Sequence, residues 1–245
     1  MPQGFKKFIP HFITLLNLLA GCVAVYQVSI ENYFLAFIFV LLGVFFDFFD
    51  GLAARRLNVS SEIGVQLDSL ADLITSGLAP GFVMFKLLGD ILGEREILES
   101  FSLWVPYLGF IITAATAYRL AVFNVDGKNL QDFTGLAAPA NALMILSWPL
   151  MKEYTTSTFL LYLFSSPVFL LVLILVDIFL LNGKFRLFSF KLADWSIQKN
   201  IFRYLLILLS LLLFIFLPYE ALTLIILIYF VLSYFHFRQK KSAPN

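Results

Sequence analysis

The chain has 245 residues, 60% of them hydrophobic and 13% charged, with a mean hydropathy of +0.90. A soluble domain is about half apolar and about a quarter charged, which excludes a water-soluble core and makes lipid the main solvent. The net charge of +1 says little about partners, and no nucleic acid is expected. Lys6 and Lys7 precede the first apolar run, and no small-residue cleavage site follows it. That pattern reads as a retained helix. A spanning helix needs roughly 20 apolar residues. Such runs fall at about 10–29, 33–56, 64–88, 102–123, 135–152, 158–182, 201–217 and 219–237. The expected fold is therefore an all-α polytopic integral membrane protein with about eight transmembrane helices. Cys22 stands alone in an apolar stretch and reads as a small buried residue, not a thiol site. His11 and His236 flank apolar segments and read as interfacial residues.

The basic residues orient these spans. With the N-terminus in the cytoplasm, only Lys86, Arg95 and Lys152 fall outside, and every other Lys and Arg falls inside. That asymmetry predicts an even number of helices and two cytoplasmic termini. The loop 89–100 is acidic and outer. Segment 183–200, mixed basic and aromatic, reads as a cytoplasmic interfacial stretch, and 238–245 as a basic cytoplasmic tail.

Five carboxylates fall inside spans: Asp47, Asp50, Asp68, Asp72 and Asp177. Asp47 and Asp50 are three apart on the second helix, and Asp68 and Asp72 are four apart on the third, so each pair shares a face. Asp47 lies about 12 Å along the axis from Arg55, and Asp72 about the same from Gly64. The two helices run antiparallel, so the four carboxylates meet at one depth, in the cytoplasmic third of the membrane. Converging carboxylates in low dielectric repel one another. All-oxygen ligation of Mg2+, Mn2+ or Ca2+ relieves that repulsion. Two such ions bridging a pyrophosphate stabilise an in-line displacement. Gly51, Ala54 and Gly64 leave room for a bulky substrate, and Arg55 stands at the rim to meet phosphate. Helix capping, or pairing with Arg55 and Arg56, is the bland alternative. A cation pathway is the alternative of another class. Intramembrane carboxylates are costly enough to be functional by default, and Asp177 is expected to be structural or interfacial.

The run Asp47-Phe-Phe-Asp50-Gly51-Leu-Ala-Ala54-Arg55, eight residues, Gly64, three residues, Asp68, three residues, Asp72 resembles the signature of the CDP-alcohol phosphatidyltransferases at every defined position. The resemblance implies two metal ions, Mg2+ or Mn2+, held by Asp47, Asp50, Asp68 and Asp72. It implies Asp72 as the base that takes a proton from an acceptor alcohol, and CMP as the leaving group. It implies that Gly51, Arg55 and Ser61 contact the CDP group.

Further stretches resemble the bacterial phosphatidylserine synthase subfamily: Thr14-Leu-Leu-Asn17-Leu-Leu-Ala-Gly21, the segment 67–80, Tyr118-Arg119-Leu120-Ala121, Phe133-Thr-Gly135-Leu136 and Ser189-Phe190-Lys191. His11, Ala137 and Val122 depart from its pattern. This resemblance implies a six-helix core over 1–182, two additional helices over 201–237, and a homodimer in a bacterial-type inner membrane. The substrates implied are CDP-diacylglycerol and L-serine. Glycerol 3-phosphate or an inositol compound are the alternative acceptors, and either would ask for more basic residues than Arg55, Arg56, Arg119 and Lys128 supply. Arg119 is the candidate counter-charge for the serine carboxylate, or else an anchor at the membrane face. Thr14 and Asn17, one turn apart, line the nucleotide cleft or bond helix to helix.

Overall fold

A computed structural model describes residues 3–59, 61–94, 103–126, 133–188 and 196–242. The acidic segment 95–100, Lys128 and Ser189-Phe190-Lys191 lie outside the described residues. Helix α1 (Gln3–Ser29) and helix α2 (Tyr33–Arg56) form an antiparallel hairpin closed by a short turn. In that turn Asn32 Oδ1 accepts from the Leu35 N–H at 3.2 Å and starts α2. A second turn, with Asn58 at φ 50°, leads into α3 (Glu62–Asp72). A π-helical segment, Leu73–Leu78, then joins α3 to α4 (Ala79–Glu94). A 3-10 segment, Val105–Phe110, opens α5 (Ile111–Asp126).

The chain returns through α6 (Ala138–Tyr154), α7 (Thr158–Phe164) and α8 (Pro167–Asn182). Strand β1 (Phe133–Thr134) pairs antiparallel with β2 (Arg186–Leu187), matching Phe133 to Leu187 and Thr134 to Arg186. Helices α9 (Ile197–Phe216) and α10 (Ala221–Ser242) close the described chain.

The fold is all-α apart from that two-residue ribbon, as the composition predicts. The number of spans differs from the eight apolar runs. Among the described residues five helices are long and apolar enough to cross a membrane: Phe8–Ser29, Tyr33–Arg56, Glu62–Gly93, Val105–Val125 and Ala221–Arg238. Helices α7 and α8 add a sixth if counted as one span, and they bend by 78° at their junction. The cause is Ser165-Ser166-Pro167: proline has no N–H to continue the helix, and Ser166 restarts it by accepting from the Phe169 N–H. The run at 201–217 is the short apolar helix Asn200–Phe216. The run at 135–152 is α6, whose Asn141, Ala142, Ile145, Leu146 and Trp148 are all buried. α6 is surrounded by protein, so lipid does not set its length.

The main core joins Ala24 and Val28 of α1, Val40 of α2, Val83 and Leu87 of α4, Ile145 and Trp148 of α6, and Leu170 and Ile174 of α8. A satellite cluster of Phe188, Leu206 and Leu232 ties β2 to α9 and α10. The outer surface is apolar, as with Phe48 at 58% and Ile215 at 71% exposed, which is how a lipid-facing wall reads. Cys22 lies on that wall: it is exposed, not buried as the sequence suggested, because its face of α1 points away from α2 and α4.

Candidate active site

Helix α2 ends and α3 begins at one rim of the bundle, so their paired aspartates converge. One oxygen from each of Asp47, Asp50 and Asp68 lies within 4.8 Å of the others. Asp50 is buried, and Asp47 and Asp68 are partly so. Among the described residues no Lys or Arg forms an ion pair with Asp47, Asp50, Asp68 or Asp72. Pairing with Arg55 and Arg56 therefore does not account for them. Asp68 Oδ1 is buried and has no hydrogen-bond partner. A buried charged oxygen without a partner is costly. An all-carboxylate set with one orphaned oxygen fits a hard divalent cation.

Two other carboxylate oxygens are held by α1. Thr14 Oγ1 donates to Asp50 Oδ2 at 2.5 Å, and Asn17 Nδ2 donates to Asp72 Oδ1 at 3.0 Å. Asp72 therefore stands next to the group of three, gripped from behind.

A cleft of about 580 Å3 opens beside this cluster. Its wall includes Pro10, His11 and Thr14 of α1, Asp50, Gly51, Ala54 and Arg55 of α2, and Ser61, Gly64, Val65 and Asp68 around α3. A Cβ built on Gly51 would meet nothing within 4 Å, so the space it leaves is open to the cleft and not filled by the protein. Gly64 differs: a Cβ there would come 2.9 Å from Ser61 Oγ and 3.1 Å from His11 Nε2. Ser61 caps α3 by accepting from the Gly64 N–H at 2.9 Å, and its Oγ also lies 2.9 Å from His11 Nε2.

Most of the residues singled out by spacing thus stand around one site. Asn17 does not line the cleft: it is fully buried beneath Asp72. Arg119 is not on the cleft wall either. Its guanidinium donates to the Leu181 carbonyl at the end of α8, beside Gly135, whose φ of 71° a side chain would strain. Asp177 is buried and accepts from Asn141 Nδ2 at 3.2 Å, a structural placement as expected. His11 was read as interfacial, yet it walls the cleft. The signal was present: His11, Thr14 and Asn17 recur every three residues, a polar stripe on an otherwise apolar helix.

Helices of membrane length carrying a carboxylate cluster beside a cleft define a polytopic membrane protein with a metal-competent site. The CDP-alcohol phosphatidyltransferase family matches residues 7–182, and the chain belongs to that family. It is therefore an enzyme, which sets aside the cation-pathway reading. It is 34% identical over 148 residues to the CDP-diacylglycerol–serine O-phosphatidyltransferase of Bacillus subtilis (strain 168), covering 58% of this chain and 76% of that protein. It is 26% identical over 238 residues to the protein of the same name from Helicobacter pylori (strain ATCC 700392 / 26695), covering 94% and 91%. It is 29% identical over 150 residues to the archaetidylserine synthase of Methanothermobacter thermautotrophicus (strain Delta H), covering 60% of each.

Proposed function

We propose that this chain transfers the phosphatidyl group of CDP-diacylglycerol to the hydroxyl of L-serine, giving phosphatidylserine and CMP. The observation that carries the proposal is the convergence of Asp47, Asp50 and Asp68 within 4.8 Å at an open cleft. The relatives named for serine transfer support the acceptor.

Asp47, Asp50, Asp68 and one oxygen of Asp72 would hold two divalent cations, Mg2+ or Mn2+. Held there, such ions would supply Lewis-acid stabilisation of the charge that develops in the displacement. The chain's own groups do the rest. Gly51 and Ala54 admit the CDP group, Gly64 lets Ser61 and His11 close against α3, and Arg55, Ser61, His11 and Thr14 line the path of the CDP group. Asp72 accepts the proton of the serine hydroxyl through the oxygen that Asn17 leaves open. The serine oxygen bonds to the lipid-side phosphorus, the bond from that phosphorus to the bridging oxygen breaks, and CMP departs. The diacylglycerol chains enter sideways from lipid, and serine enters from the cytoplasm. Arg119 stands off the cleft wall against α8, and its contact with the serine carboxylate is the part of this reading that the Arg119→Lys variant tests.

The test is CMP release by the purified chain with CDP-diacylglycerol, Mn2+ or Mg2+, and serine, glycerol 3-phosphate or inositol in parallel. Serine is expected to support release. Asp72→Asn is expected to lower kcat by about 10²- to 10⁴-fold while CDP-diacylglycerol still binds. Release only with glycerol 3-phosphate or inositol would overturn the acceptor, and release with none would overturn the reaction. In the same assay Arg119→Lys raises KM for serine alone if Arg119 meets the acceptor. It lowers thermal stability without moving that KM if the guanidinium only ties α5 to α8.

A further inference from the structure

Behind Asp72 lies a buried pair, Asn17 and Thr75, that forms a trio with it, and the proposed chemistry uses only the Asn17 contact. Asn17 and Thr75 are both buried, on α1 and in the π-helical segment. Thr75 Oγ1 lies 2.7 Å from Asn17 Oδ1, 3.1 Å from the Ala71 carbonyl and 3.3 Å from the Asn17 carbonyl; its one proton goes to the nearest, the Asn17 amide oxygen, and Asn17 Nδ2 donates to Asp72 Oδ1 at 3.0 Å. The direction of this chain is set by chemistry. A carboxylate accepts but does not donate, so the amide must turn its NH2 toward Asp72 and its oxygen toward a donor. Thr75 is that donor. Without it the amide oxygen would be buried without a donor, and only the Asp72 contact would hold the amide in place.

The trio is also clamped. A Cβ on Gly43 of α2 would lie 2.5 Å from Thr75 Cγ2 and 2.8 Å from Asn17 Oδ1. A Cβ on Gly21 of α1 would lie 2.5 Å from Thr75 Oγ1. Two helices therefore present bare backbone where Asn17 and Thr75 meet, and neither side chain has room to move aside. The π-helical turn supplies the third wall. Its wider winding is marked by the Ala79 N–H reaching back to the Ile74 carbonyl, and such turns often occur at functional sites.

We infer that Thr75 and Asn17 are positioning residues for Asp72: they hold one carboxylate oxygen from behind so that the other faces the acceptor hydroxyl. The inference rests on the proposed role of Asp72 as the base. A positioned base matters because a misplacement of about 1 Å costs on the order of 10²-fold in rate.

The test uses the full chain in detergent, with Thr75→Val, Asn17→Ala, Thr75→Ser and Gly43→Ala. Steady-state kinetics with CDP-diacylglycerol and serine are read beside Mn2+ affinity from electron paramagnetic resonance. Thr75→Val keeps the shape and removes the donor. It is expected to lower kcat about 10- to 100-fold while KM for CDP-diacylglycerol and Mn2+ affinity stay within about threefold. Thr75→Ser restores the hydroxyl and most of kcat. Gly43→Ala reproduces the Thr75→Val kinetics by crowding the pair. If Thr75→Val fails to fold, Asn17→Ala carries the same expectation. A Thr75→Val enzyme with kcat near the parent overturns the inference, as does a parallel loss of kcat, Mn2+ binding and lipid binding, which is what mere loss of packing gives. Failure of the reading beneath it looks different: Asp72→Asn would then turn over normally, whatever Thr75 does.

Discussion

Asp68 shows how one atom can point to a missing partner. Its Oδ1 is buried and unbonded, although Asp47 and Asp50 offer oxygens close by. Three carboxylates this close repel one another when charged, and a shared hard cation would relieve that repulsion. Asp68→Asn is therefore expected to weaken Mn2+ binding at least about tenfold, since even outer-sphere partners of a metal site are worth about 10- to 100-fold. Asp177→Asn is the contrast. Asp177 is more deeply buried and its Oδ1 is likewise unbonded, but it stands outside the three-carboxylate group and accepts from Asn141, so Mn2+ affinity in that variant should match the parent. Both are read by Mn2+ titration of the purified protein. Equal affinity in both variants would remove Asp68 from the metal site. At this scale spacing was a good guide to the aspartates, because i,i+3 and i,i+4 relations follow from helix geometry alone. It left Asn17 between the cleft wall and a helix-to-helix bond and put His11 at the interface, because a polar stripe does not say which neighbour each residue meets.

At the scale of helices, close approach decides the packing. Gly109, in the 3-10 segment, faces bare backbone of α4: a Cβ there would lie 2.5 Å from Phe85 N and 2.9 Å from the Gly81 carbonyl. No side chain can rotate to relieve that contact. Gly109→Ala should destabilise the fold by about 1–3 kcal/mol, the usual cost of overpacking. Gly93 is the control, because a Cβ there meets nothing within 4 Å and alanine is the better helix former by about 1 kcal/mol. Thermal unfolding in detergent should show a lower Tm for Gly109→Ala and an unchanged or higher one for Gly93→Ala. Apolar runs located the helical stretches, but began α1 at residue 10 where it starts at Gln3 and ran α7 and α8 together as one span. They did not reveal the π-helical turn after Asp72 or that α6 is enclosed by its neighbours. Both depend on which side chains meet across helices, and run length does not record that.

For the whole molecule, the distribution of charge predicts two cytoplasmic termini, with the carboxylate cluster on the same side. One of the few basic residues assigned outside, Lys86, is paired with Glu31 of the α1–α2 turn at 2.7 Å, so it adds little net charge there. In a Cys22→Ser background, Gly93→Cys should react with a membrane-impermeant maleimide in intact cells. Ser242→Cys should react only after the membrane is opened. Labelling of Ser242→Cys in intact cells would invert the proposed topology and move the site to the outer face. The same background, cross-linked in membranes, tests the proposed homodimer. Helices α9 and α10 join the body through Trp148 Nε1 donating to Thr223 Oγ1 at 3.1 Å and through stacked Tyr154 and Tyr219 rings.

The sequence by itself determined the solvent, the all-α class and the reaction family. Those depend on composition, run length and fixed spacing along one or two helices, all of which are local. Tertiary structure decided which oxygens of the four aspartates converge, that Thr14 and Asn17 hold two of them from α1, and that Thr75 stands behind Asn17. It also turned Arg119 toward α8 and removed Cys22 from the core. Each of these is a contact between residues far apart in the chain. Such contacts exist only once the helices have packed, because the packing angle and the extra residue in the π turn set which faces meet.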